Sequence, residues 1–363
     1  MFLLLFSLRA FGLASVTTPP ITQEVTIQGQ ESGSSAEAAK KLTQSEALKL
    51  APDPGLTEAR SLLEKGNVGE AREAVRRYLA KHPSSADGHF LLGYILFREI
   101  QVRASQESPA DVALYQNPGT SERKFQEENA KASLAEYTEG AKFRDPGTFD
   151  LKIVALDYVL LGDYVDADKW LTRSVESNSK DSEGWYYLGR AKYNENRFEE
   201  AIHAFEQCLK LDAKNVKAED NLGLSYAGLG RAEEAAAAYR TAIAWQAQSA
   251  KKDVGPFIDL GSLLLEQNQP DAALLNLLQA AEIAPQESRA HELLGKAYSH
   301  LNQLPKAQAE LEKAIALSPQ SGPLHYMLGQ VYRKEGLNEK AKTEFDRAAA
   351  LNGTRSSPDT PRP

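Results

Sequence analysis

The sequence predicts an all-α solenoid built from stacked antiparallel helix pairs. Leu188-Gly189, Leu222-Gly223, Leu260-Gly261, Leu294-Gly295 and Leu328-Gly329 repeat one dipeptide, with glycine spacings of 34, 38, 34 and 34 residues. Ala167, Ala201, Ala235, Ala273, Ala307 and Ala341 form a second series with the same beat. Between these beats, apolar residues recur at three- and four-residue steps, as on one face of a helix. A period of this length marks units that cover their apolar faces only by stacking on neighbours.

Residues 2–16 are apolar but interrupted by Arg9, and are too short to span a bilayer. Gly12-Leu13-Ala14 has the small-x-small form of a cleavage site, so residues 1–16 are expected to be a signal peptide. Export, to a periplasm or outside the cell, follows from that expectation, with a cytoplasmic chain as the alternative. Residues 17–35, rich in Thr, Gln, Gly, Ser and Pro, read as a flexible linker. Residues 36–51 read as a capping helix, because Ala39, Leu42 and Ala47 fall near helical spacing. The solenoid proper is expected over 52–355, in about eight units. Residues 356–363, with three prolines, are expected to be disordered.

Ser182 to Asn215 is the clearest unit. Trp185, Leu188 and Ala191 share one helical face, and Phe205, Cys208 and Leu209 form the inner stripe of a second helix. Gly189 and Ala201 are small enough for the two helices to approach closely. Asn194 to Arg197 is the polar turn between them. Regular units are placed at 148–181, 182–215, 216–249, 254–287, 288–321 and 322–355. Position 24 of these units holds Leu171, Phe205, Tyr239, Leu277, Leu311 and Phe345, and position 27 holds Ser174, Cys208, Ala242, Ala280, Ala314 and Ala348. Two weaker units precede them. The first covers 52–85. The second starts at Ala86, and its second helix resumes only near Ser133, which leaves an insert at about 101–129. Thr120 or Ser121 is expected to start a helix there, with Glu122 in its first turn. The 38-residue interval adds four residues near Gln246 to Asp253, about one helical turn. The second helix of 216–249 is therefore expected to run past Trp245 toward Lys251.

This pattern of small and apolar positions resembles the tetratricopeptide repeat family. The resemblance implies a right-handed superhelix whose first helices line a concave groove that grips proteins or peptides. It also implies that positions 2, 5, 9, 12 and 13 face the groove. Those positions give Tyr186, Arg190, Tyr193 and Asn194 in one unit, and Lys217, Asp220 and Leu224 in the next. Further along they give Arg289, Glu292, Lys296 and Ser299, then Tyr326, Gln330 and Arg333. Tyr and Arg often dominate interface energies, so Tyr186, Arg190 and Tyr193 form the leading patch. The Lys, Asn and Arg set with which some members clamp a C-terminal carboxylate is not reproduced, since only Asn221 matches part of it.

Composition narrows the chemistry. The chain of 363 residues is 42% hydrophobic and 25% charged, with a net charge of -8, which argues against nucleic-acid binding. Residues 288–355 carry ten Lys/Arg against seven Asp/Glu, a net of +3 that suits an acidic partner segment. One cysteine, Cys208, permits neither an intramolecular disulfide nor a cysteine-based zinc site, and its core position suits packing. His291-Glu292-Leu293-Leu294-Gly295 lacks the second histidine of a zinc-protease motif. Gly228-Leu229-Gly230 follows no strand and reads as a turn. Glu199-Glu200 and Glu233-Glu234 fall in helix first turns, where the dipole favours them. No catalytic residue, metal or cofactor is expected. The leading function is a noncatalytic interaction scaffold, possible roles being envelope assembly, or cytoplasmic regulation and co-chaperoning as an alternative. The reading from another class is a ligand-sensing or enzymatic pocket between the insert and the groove.

Overall fold

The computed structural model describes residues 53–105 and 120–354, and among these it is a helical solenoid with no strand. The expected signal peptide, linker, capping helix and tail, and the centre of the insert, lie outside the described residues. Sixteen α-helices form eight antiparallel pairs. They are α1 (Thr57–Glu64), α2 (Val68–Leu79), α3 (Ala86–Ser105), α4 (Ser121–Gly140), α5 (Thr148–Leu161), α6 (Tyr164–Ser177), α7 (Ser182–Asn194) and α8 (Phe198–Leu211). There follow α9 (Val216–Gly228), α10 (Ala232–Trp245), α11 (Gly255–Glu266), α12 (Pro270–Ile283), α13 (Ser288–His300), α14 (Leu304–Leu317), α15 (Gly322–Lys334) and α16 (Asn338–Thr354).

Two positions make the hairpin. At position 8 a Cβ on Gly189 would lie 2.6 Å from the Phe205 ring, and one on Gly223 would lie 2.5 Å from the Tyr239 ring. Glycine is what lets the first helix rest on the position 24 side chain. Position 15 turns the chain between the two helices. Gly66, Gly162, Asn196, Gly230, Asn268, Asn302 and Gly336 all occupy it, and all have positive φ. Only Gly, and less readily Asn, adopts that conformation at low cost. Helix starts are fixed by side-chain caps: Asp181 accepts from the Gly184 amide, and Asn215 from the Ala218 amide.

Among the described residues the core runs along the stack as successive clusters, the largest of which extends from α1 to α5. Leu171, Phe205, Tyr239, Leu277 and Leu311 are buried almost completely. Each such side chain contributes about 2–3 kcal/mol by leaving water. Each second helix packs on the first helix of the next unit.

The two irregularities take different forms. The insert lengthens a hairpin: α3 and α4 each run 20 residues. Thr120 caps α4 by accepting from the Arg123 amide, and Glu122 lies in its first turn. Arg103 stacks 4.3 Å from the Phe125 ring centroid, and Gln126 donates to the Leu160 carbonyl at the end of α5. The extension thus leans on the turn edge of the next unit.

The four extra residues near 250 do not lengthen a helix. α10 stops at Trp245 after 14 residues, the same length as α8, α12 and α14. A loop follows, closed by the buried Gln246 side chain, whose Oε1 accepts from the Asp253 amide and whose Nε2 donates to the Asp253 carbonyl. One side-chain amide here supplies the pairing that another helical turn would have supplied. Gln246→Ala is expected to cost about 1–3 kcal/mol, roughly one for each lost bond plus some packing. A lower urea midpoint with faster amide exchange over 247–255 would show it. Unchanged exchange would assign the loop's order to other contacts.

Candidate functional site

Successive first helices touch one another directly: α3 with α5, and then α5, α7, α9, α11, α13 and α15 in turn. No two successive second helices come as close. The array therefore bends toward its first helices, and they form the inner face. The predicted groove residues all lie on these helices.

Their settings differ. The Tyr186 ring packs against Tyr187 and Phe205, and the Arg190 guanidinium lies 5.7 Å from its centroid. Tyr193 meets Phe198 edge-on at 5.4 Å, and Asn194 donates to the Arg190 carbonyl. These side chains are half-buried, as are Lys217, Arg289, Glu292, Lys296, Ser299 and Gln330. Leu224 packs into the core cluster around Tyr239 and Leu260. Tyr326 and Arg333 are exposed and both lie over Phe345. Lys334 donates to the Ser299 hydroxyl and so ties the last two units along the groove. Asp220 is the exception, being only 8% exposed.

Asp220 is buried because the next unit closes on it. A Cβ on Gly255, at the start of α11, would lie 2.8 Å from Asp220 Oδ2. Asp253 lies alongside, and its Oδ1 accepts from the Gly255 amide. Asp259, one turn into α11, is buried as well. Burial, then Asp259 and Asp253, push the Asp220 carboxyl well above the usual carboxylate range. Asp259 is raised for the same reason, with Arg289 offsetting part of the effect. Burial followed by the Asp259 charge raises the Tyr193 phenol, and Asp253 and Asp220 act on Tyr186 in the same direction. Asp220, Asp253, Asp259, Tyr186, Tyr193 and Arg289 thus share one electrostatic neighbourhood, at the junction that the extra loop builds. Asp253 and Asp259 lie outside the family groove positions, so the sequence reading missed them.

Two other sets were missed. Lys152 on α5 is almost fully buried, with Nζ 3.0 Å from Asp181 and 2.9 Å from Glu183. Burial alone would lower the Lys152 pKa, but these two carboxylates outweigh it and raise it. The second set is a histidine at position 4. His89, His291 and His325 each set Nδ1 on a glutamate (Glu136, Glu310, Glu344) and Nε2 on a proline carbonyl of the preceding unit (Pro83, Pro285, Pro319). Trp185 Nε1 donates to the equivalent carbonyl, that of Ser179. The signal was present: His and Glu are 19 residues apart at 291/310 and at 325/344. At His89 the carbonyl can only accept, so Nε2 donates to it, while the carboxylate favours a second hydrogen on Nδ1. Burial works against the charged ring, but Glu136 and Pro83 prevail and raise the His89 pKa.

On the second-helix side, a cavity of about 300 Å³ is lined by Ile243, Leu260, Leu264, Ala272 and Leu275, with Arg240 at its edge. Among the described residues no group of three or more His, Cys, Asp and Glu is placed to hold a metal ion. No helix among them is long and apolar enough to cross a membrane.

Models described as tetratricopeptide repeat match residues 56–102 and 258–322, 182–215, and 220–249 with 322–354. The chain belongs to the tetratricopeptide repeat family. Like other tetratricopeptide repeat proteins, it is an interaction scaffold. No curated protein matches it. Among solved structures, the tetratricopeptide array resembles Cut9–Hcn1, an APC/C hetero-tetramer, at 14% identity and TM-score 0.54, covering 88% of this chain and 57% of that one. It also resembles PilW, a widely conserved type IV pilus biogenesis factor, at 18% identity and TM-score 0.51, covering 58% of this chain and 95% of that one. YrrB, a tetratricopeptide protein with an unusual peptide-binding site, matches at 22% identity and TM-score 0.41, covering 50% and 91%. At these identities the likeness is one of fold.

Proposed function

We propose that the chain is a noncatalytic scaffold that holds an extended or helical segment of a partner protein in its inner groove. The carrying observation is the half-buried row of Tyr186, Arg190 and Tyr193 on α7, next to the acidic junction on α9 and α11. Half-buried aromatic and arginine side chains present large contact areas at small ordering cost, which is what interface anchors need. The C-terminal units add Arg289, Lys296 and Arg333, so the groove changes sign along its length and suits an acidic stretch at that end. Export to an envelope assembly is the setting we favour, on the apolar residues 2–16. N-terminal sequencing of the mature chain tests it, since a start near Ser15 supports export and an intact Met1 refutes it.

Tyr186→Ala combined with Arg190→Ala is expected to abolish capture of the crosslinked partner while helicity by circular dichroism stays unchanged. Each truncated anchor costs about 1–3 kcal/mol, so the pair lowers affinity by at least about thirtyfold. Capture at the original strength would remove this patch from the binding surface.

A further inference from the structure

We infer that the acidic junction between α9 and α11 receives a lysine or arginine side chain from a basic segment of the partner. This rests on the groove reading above and specifies the chemistry of one of its subsites. Other acids buried on first helices are met within the chain, Asp150 by the Gly147 amide and Asp157 by the Ser133 hydroxyl, and the buried cations are paired. Lys152 has Asp181 and Glu183, and Lys192 has Asp168 and Glu200. Asp220 and Asp259 are not: neither forms an ion pair with a described residue, and Asp220 Oδ1 is buried without a hydrogen-bond partner. The amide at the start of α11 is already engaged, since the Gly255 N–H bonds to Asp253. Arg289 acts on Asp259 from a distance but makes no ion pair with it, and its Nε is buried and unpartnered too.

A buried acid without a hydrogen-bond partner stays protonated unless a donor arrives to stabilise its ionised form. The donor that best offsets two neighbouring carboxylates is a cation. Tyr186 and Tyr193 stand on α7, the first helix that touches α9, and aromatic rings are good neighbours for an ammonium or guanidinium group. A metal ion fits less well, because the carboxylates do not converge as a ligand set. A segment, as opposed to a free amine, follows from the position within a continuous groove: the residues beside the cation would reach Tyr186 and Arg190 on one side and Glu292 on the other.

The test uses the full chain and a fluorescein-labelled peptide of about ten residues with alternating alanine and lysine. Fluorescence anisotropy compares it with a twin in which every lysine is acetylated. The lysine peptide is expected to bind at least about tenfold more tightly than the acetylated one. Asp220→Asn with Asp259→Asn should remove at least about tenfold of that affinity. The double variant is expected to fold, because amides replace carboxylates that burial disfavours; Asp259→Asn alone provides the same comparison if it does not. Glu64→Gln with Glu233→Gln removes as much charge from the exposed surface and should change affinity by less than about twofold. An equal loss in the surface pair, or no loss in the junction pair, overturns the proposal. Lysine amide binding as tightly as the peptide would overturn the assignment to a segment. If partner capture is lost in the Tyr186/Arg190 variant and unaffected by Asp220→Asn/Asp259→Asn, the junction subsite falls while the groove stands. Capture unaffected by either variant removes the groove itself.

Discussion

Gly189→Ala is expected to destabilise the chain by about 2 kcal/mol. Two effects oppose each other. Alanine is the better helix former by about 1 kcal/mol. Its methyl group, however, would lie 2.6–2.8 Å from three atoms of the Phe205 ring, which is itself fully buried. Overpacking of this kind costs about 1–3 kcal/mol, and a ring held on all sides places it at the upper end. The chain contains its own precedent for relief. Ala155 occupies the same position in 148–181, and there position 24 is Leu171. Phe205→Leu alone is expected to cost about 1–1.5 kcal/mol through the space it leaves. Combined with Gly189→Ala it should cost less than the sum of the two by at least about 1 kcal/mol. Urea unfolding of the four chains measures this coupling. Strict additivity would show that the ring contact is not what requires glycine.

Stability should fall as pH rises from about 5.5 to about 8. Several buried acids have folded pKa values above their unfolded ones. Burial raises Asp150 to about 6, with the Gly147 amide and Arg144 offsetting part of it. Burial raises Asp157 well above the carboxylate range, against the Ser133 hydrogen bond. The geometry agrees. The Ser133 hydroxyl has one hydrogen and faces two oxygens, the Gly93 carbonyl at 2.9 Å and Asp157 Oδ2 at 2.5 Å. The set closes when Asp157 is protonated and donates to Ser133. A group with a raised folded pKa contributes its full stability below the unfolded pKa, and loses it as pH rises through the folded one. Asp150 loses its share between about 4 and about 6. Asp157, Asp220, Asp259 and His89 shift in the same direction and continue the decline at higher pH. Glu310 runs the other way, held low by Lys313 and His291 despite burial, and its share is lost as the solution becomes acidic. The expected maximum lies near pH 4–5, where the raised acids still hold most of their share, with a loss on the order of 2–3 kcal/mol by pH 8. Urea midpoints across this range measure it. Asp157→Asn, which supplies an N–H where the protonated acid supplied O–H, should flatten the slope. A midpoint that is constant or rises toward pH 8 would sink the prediction.

The parts of this molecule that were legible in its sequence are those set by one residue at one position. A small residue at position 8, a large apolar one at position 24 and Gly or Asn at position 15 each answer a local steric demand, and together they specify the helix pair. The junction near residue 250 was not legible in that way. Four added residues equal one helical turn by length, and periodicity cannot distinguish that from a loop closed by Gln246 on Asp253, seven residues away. The acidic junction was half visible. Asp220 fell in a predicted groove position, but its burial depends on Gly255 of the next unit, and Asp259 sits one position beyond the expected groove register. The three His–Glu pairs lie within units as a 19-residue spacing, or 47 residues across the lengthened hairpin. A search by helical period does not register such distances.

Because each unit touches mainly its neighbours, the array is mechanically a spring. A rotation of about one degree at each junction adds up along the stack, so groove width responds to small, distributed changes and no single element needs to move far. At six of the seven junctions between successive pairs such a rotation passes through a shorter connection. Between α10 and α11 it passes through a loop held by one glutamine side chain, and the carboxylates of Asp220 and Asp259 lie beside that loop. The longest connection of the spring and its acidic junction are therefore the same place.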